Sequence, residues 1–118
     1  MRFSGSMKQN HLFRRLYRKG KSAANSALVI YCRPNGTERN RIGLTVSAKL
    51  GCAVKRNRMR RRLREIYRLH EGQFLPGWDI VVVARSRAMG LPYDRLESAY
   101  LSLARRMGLC HSEEASDA

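Results

Sequence analysis

The sequence predicts a small α+β domain, a sheet covered by helices, in the order α-β-β-basic helix-β-α. Three observations predict it. The 118 residues are 43% hydrophobic, which suits one domain with one packed core. Ala27 to Arg33 (ALVIYCR) and Trp78 to Arg85 (WDIVVVAR) are dense in β-branched and aromatic residues, as strands are. Two further segments place apolar residues at helical spacing, which lets each helix lay one face on a sheet. No internal repeat or low-complexity segment interrupts this pattern.

The elements follow in order. Residues 1–6 read as a flexible start. Met7 to Lys19 reads as a short helix, with Leu12, Phe13, Leu16 and Tyr17 near one side and Gly20 as its stop. Lys21 to Ser26 is small and polar, a loop. Ala27 to Arg33 is the first strand, and Pro34-Asn35-Gly36 a turn. Arg41 to Ala48 (RIGLTVSA) alternates and reads as the second strand of a hairpin. A basic helix is predicted from about Ala53 to Leu69, with Met59, Leu63, Ile66, Tyr67 and His70 as its apolar stripe. Glu71 to Gly77 is a connection. Trp78 to Arg85 is almost unbroken Val and Ile, which predicts a strand buried on both faces. Met89 to Pro92 is a loop. Tyr93, Leu96, Tyr100, Leu103 and Met107 mark a final helix that Gly108 ends.

Charge bounds the function. Lys and Arg number 24 against 9 Asp and Glu, a net charge of +15. Three of the nine acids lie in residues 111–118, which carry no Lys or Arg, so residues 1–110 hold 24 basic against 6 acidic side chains, or +18. Self-repulsion on that scale weakens the compact state unless a counter-charge is present. Residues 1–110 are therefore expected to be one nucleic-acid-binding domain, and residues 111–118 a disordered acidic tail. No apolar run reaches transmembrane length, and the first fifteen residues hold no hydrophobic stretch of a secretory signal. The three cysteines are odd in number and far apart, so free thiols in a reducing, cytoplasmic setting are expected.

Seven of the ten residues from Lys55 to Arg64 (KRNRMRRRLR) are Lys or Arg. Lys55, Arg58 and Arg62 fall on one helical face, and Asn57, Arg61, Arg64 and Arg68 on the next. Arg forks two hydrogen bonds to one phosphate, and Asn offers both a donor and an acceptor. A merely solvated face would mix both signs of charge. The turn from Ala48 to Gly51 also brings unpaired backbone N–H groups to a helix start, a favourable place for phosphate. Phe13, Tyr17 and Tyr31 form a second constellation. Such rings stack on unpaired bases, at roughly 1–3 kcal/mol each, or else fill a core. His11, His70 and His111 are scattered, and no paired carboxylates or Gly-rich Lys-Ser/Thr phosphate loop is present. Nothing here reads as a nuclease centre.

The stretch RIGLTVSAKLGCAVKRNRMRRRLREIYR, Arg41 to Arg68, resembles the signature of the bacterial ribonuclease P protein subunit. The matching residues are Gly43, Leu44, Val46, Ser47, Gly51, Ala53, Val54, Arg56, Asn57 and Arg58. Phe13 and Tyr17 before Lys19-Gly20 look like that family's first helix, and Trp78 to Val82 like its last strand, so the likeness spans roughly residues 8–107. The resemblance implies a two-layer α/β sandwich with a four-stranded sheet and a left-handed βαβ crossover, similar to the second domain of a small-subunit ribosomal protein. It implies binding of the catalytic ribonuclease P RNA, one protein to one RNA, through Lys55, Arg56, Asn57, Arg58, Arg60, Arg61, Arg62, Arg64 and Arg68. It implies that Phe13, Tyr17, Tyr31, Ser47 and Lys49 hold the 5′ leader of precursor tRNA. Cleavage would belong to the RNA and its bound Mg²⁺, and no membrane is involved. Two other classes stand beside this reading: a ribosomal or chaperone-like RNA-binding module, and a stand-alone metal-dependent nuclease. A helix-turn-helix DNA reader fits less well, because its recognition helix carries mixed polar residues for base edges.

Overall fold

The structure is a computed structural model and describes residues 4–6 and 16–110. Its strands are β1 (Ser4–Ser6), β2 (Lys21–Ala24), β3 (Leu28–Pro34), β4 (Asn40–Thr45) and β5 (Trp78–Ala84). Helix α1 is described at residues 16–19, α2 runs Ala53–His70 and α3 runs Tyr93–Arg106. Short 3₁₀ turns lie at Ala48–Leu50, Glu71–Gln73 and Ser86–Gly90. The strand order is β1-β4-β5-β3-β2. Strands β2 to β5 make the four-stranded mixed sheet expected from the resemblance, and β1 extends its edge by three residues, parallel to β4.

Three expectations are corrected. Ser4–Ser6 is a strand and not a flexible start. Lys21–Ala24 pairs antiparallel with β3 and is not a loop; its residues are mostly exposed, as an edge strand's are, so no apolar alternation marks it. The hairpin does not form. β3 and β4 do not pair; β5 lies between them, antiparallel to β3 and parallel to β4. The reason is burial: β5 is the strand most buried on both faces, so the centre of the sheet is the place that covers both. The parallel β4–β5 pair then needs a crossover, and α2 supplies it.

The two faces of the sheet differ. Ile30, Cys32, Ile42, Ile80, Val82 and Ala84 point to one side, where α2 and α3 close the main core. Helix α2 contributes Met59, Leu63, Ile66 and Tyr67, and α3 contributes Leu96, Tyr100, Leu103 and Ala104. Fully burying one such side chain stabilises by roughly 1.5–3 kcal/mol. Asn40, 4% exposed, joins three elements: its Nδ2 donates to the Tyr67 hydroxyl (3.1 Å) and the Leu75 carbonyl (3.0 Å), and its Oδ1 accepts from Trp78 N–H (2.7 Å). On the opposite side Leu16 of α1 packs on Val81, beside Tyr31 and Val83. Position 20, just past α1, requires glycine, because a Cβ there would meet the Leu16 and Cys32 carbonyl oxygens at 2.7 and 2.8 Å.

Candidate nucleic-acid interface

Helix α2 is a rigid cationic surface because its apolar stripe is locked. Met59, Leu63, Ile66 and Tyr67 are each at most 3% exposed, so the rest of the helix must face outward. The exposed part carries Lys55, Asn57, Arg58, Arg61, Arg64 and Arg68, with Arg56, Arg60 and Arg62 half-buried. Gly51 turns the chain into the helix with φ 151°, a conformation that side chains rarely adopt. The Cys52 thiol beside this start is held below its ordinary range, chiefly by the Lys55 backbone N–H.

The head groups divide into two sets. Arg56 Nε donates to the Gly51 carbonyl (3.1 Å), Arg60 to Asn57 Oδ1 (2.9 Å) and Arg62 to the Leu91 carbonyl (3.3 Å). Arg68 grips Glu65 through two hydrogen bonds, which lowers the Glu65 pKa. Glu65 is the single acid of the helix. Among the described residues, Lys55, Arg58, Arg61 and Arg64 have neither a side-chain hydrogen bond nor an ion pair. These four present unspent donors to solvent.

The second constellation sits on the far face of the sheet. Tyr17 meets Tyr31 edge-on, with ring centroids 4.8 Å apart, and its hydroxyl lies 3.5 Å from Thr45 Oγ1. Pairing register places Tyr31, Val81 and Gly43 in one row across this face and Val29, Val83 and Thr45 in the next. A third row holds Arg33, Asp79 and Arg41. Asp79, 5% exposed, takes a fork from Arg41 at 2.7 and 2.6 Å and a bond from Asn35 at 3.1 Å. The result is a polar and aromatic floor under the end of α1.

Ser47 and Lys49 follow β4, two and four residues past Thr45, and both are exposed. The Ser47 hydroxyl accepts the Lys49 N–H at 3.2 Å and so caps the 3₁₀ turn. Phe13 lies outside the described residues, as do His11, His111 and the acidic tail. Thr45, Arg33 and Arg41 escaped sequence reasoning; strand parity with Gly43 and Tyr31 was the available signal. His70, at the end of the apolar stripe of α2, is half-buried, and its Nε2 lies 2.9 Å from Glu97 Oε2, on α3. That pair ties the C-terminal end of α2 to α3. Among the described residues no three His, Cys, Asp or Glu side chains gather as metal ligands. No helix of the described residues is long and apolar enough to cross a membrane.

A family model described as Ribonuclease P matches residues 1–108. The chain belongs to the ribonuclease P protein family. Among its relatives, the ribonuclease P protein component of Alkaliphilus metalliredigens is 45% identical over 109 residues, covering 92% of this chain and 98% of that protein. The RNase P protein of Staphylococcus aureus superposes with a TM-score of 0.84 at 33% identity, over 90% of this chain and 97% of that one. The RNase P protein of Thermotoga maritima does so with a TM-score of 0.81 at 30% identity, over 86% and 96%. As in those ribonuclease P proteins, the helices and mixed sheet here form a small α+β domain.

Proposed function

We propose that this chain binds a ribonuclease P RNA through α2 and the 5′ leader of precursor tRNA through the Tyr17–Tyr31 face, promoting removal of the leader. The observation that carries the reading is the set of unpartnered cations, Lys55, Arg58, Arg61 and Arg64, on a helix whose other side is locked in the core. Phosphates at fixed spacing are the partner such a set suits. The leader is assigned to the opposite face because an unpaired strand has bases free to stack on the rings.

Three physical contributions follow. The cations screen repulsion where the RNA folds on itself. The rings favour precursor over product, since only the precursor has a leader to hold, a differential-binding effect. The field of the bound protein alters the local balance of counterions at the RNA. Magnesium and the cleavage chemistry are assigned to the RNA, and one protein is expected per RNA.

The test is cleavage of a precursor tRNA at low Mg²⁺ by a bacterial ribonuclease P RNA, with and without this protein. Rescue of correct 5′ cleavage by the mixture, with none by protein alone, is expected. Cleavage by the protein alone would favour a nuclease. RNA binding with no rescue would leave a general RNA-binding module.

A further inference from the structure

We propose that the groove between α2 and the segment 86–92 is a pocket for one unpaired nucleotide of the RNA partner. The inference rests on the assignment of α2 to RNA and says how part of that helix recognises it. The cavity, about 440 Å³, is within the usual range of small-ligand sites. Lys55, Arg58 and Arg62 form one wall; Met59, Met89 and Leu91 supply apolar surface beside them. Arg62 donates to the Leu91 carbonyl at 3.3 Å and so fastens the segment to the helix. Among the described residues no Asp or Glu lines the groove.

Backbone phosphates alone would need the cations and nothing more. Half-buried Met89 and Leu91 beside three cations suit an occupant that is anionic at one end and flat and apolar at the other. A nucleotide has both parts. Its base reaches the apolar surface only when it is out of a duplex stack. Lys55 and Arg58 then take the phosphate, and the base lies against Met89 and Leu91.

Two variants test this without removing a cation. Met89→Ala with Leu91→Ala strips the apolar surface. Gly90→Leu adds bulk beside the groove that Gly90 helps to line, at a position where an added Cβ meets no heavy atom within 4 Å. Each is titrated with a bacterial ribonuclease P RNA over a range of salt, and the complexes are probed for base and backbone reactivity. Both variants are expected to bind about tenfold more weakly with an unchanged salt slope. One or two unpaired bases are expected to regain reactivity while backbone protection persists. Tight wild-type binding with unchanged affinity and base protection in both variants would overturn the pocket alone. Failure of the wild-type chain to bind that RNA would overturn the pocket and the functional reading together. Binding of a glutamate-rich peptide that Gly90→Leu abolishes while RNA binding is kept would reassign the groove to an acidic peptide.

Discussion

Tyr17 keeps 43% of its surface exposed although its ring touches Tyr31 and its hydroxyl approaches Thr45. A residue that only filled the core would not stand so far out. Tyr17→Ala should therefore cost stability little, within roughly 0.5 kcal/mol by denaturant midpoint. It should weaken precursor tRNA binding by about 1–3 kcal/mol and mature tRNA much less. Equal losses for the two RNAs would mark the ring as packing. Tyr100 is the contrasting residue: fully buried, its hydroxyl without a partner, and its pKa raised far above the ordinary value, first by burial. The neutral form is the one the fold accepts. Stability is then unaffected by this group below the unfolded pKa of about 10 and falls as pH rises beyond it, because only the unfolded chain ionises freely. Unfolding followed by circular dichroism through that range should show the fall, and Tyr100→Phe should blunt it. The same pH profile of stability in the variant as in the wild type would contradict it.

Helix α2 was legible from the sequence nearly to its ends, because the 3.6-residue period of Met59, Leu63, Ile66 and Tyr67 survives a background of Arg. Strand β2 was not legible, since Lys-Ser-Ala-Ala carries neither alternation nor β-branching and is placed by its pairing with β3 and a hydrogen bond from Arg106 to the Ala24 carbonyl. The neighbours of β3 and β4 were misjudged for a similar reason: pairing across the sheet is decided by which strand can tolerate burial on both faces, a property of β5, more than thirty residues later. The two faces of the candidate site split the same way. The cations of α2 are contiguous in sequence and were found together, whereas Tyr17, Tyr31 and Thr45 meet only through the fold. At the scale of this element, Arg58→Ala with Arg61→Ala should leave stability unchanged, since both are exposed and unpartnered. The pair should lower RNA affinity and reduce the salt slope by about two. A gel-shift titration with an unaltered slope would remove these two residues from the phosphate contacts.

The whole molecule carries +15, and among the described residues most Lys and Arg side chains face solvent. A compact state under such self-repulsion gains from any anion that binds it and not the unfolded chain. The thermal midpoint should rise with phosphate or with a short RNA more than with chloride at equal ionic strength. At an anion concentration of about 100 times its Kd the gain is roughly 2.7 kcal/mol. A midpoint that follows ionic strength alone would show screening without a bound anion.

Strand β5 has a consequence for the order in which the chain can acquire its shape. As a nascent polypeptide leaves the ribosome, β2 with β3, and β4 with α2, emerge as two pieces with no edge in common. Until Trp78–Ala84 follows, the most basic segment of the protein exists without the platform that orients it. A product truncated after His70 would keep all the arginines of α2 and yet be a polycation without an architecture.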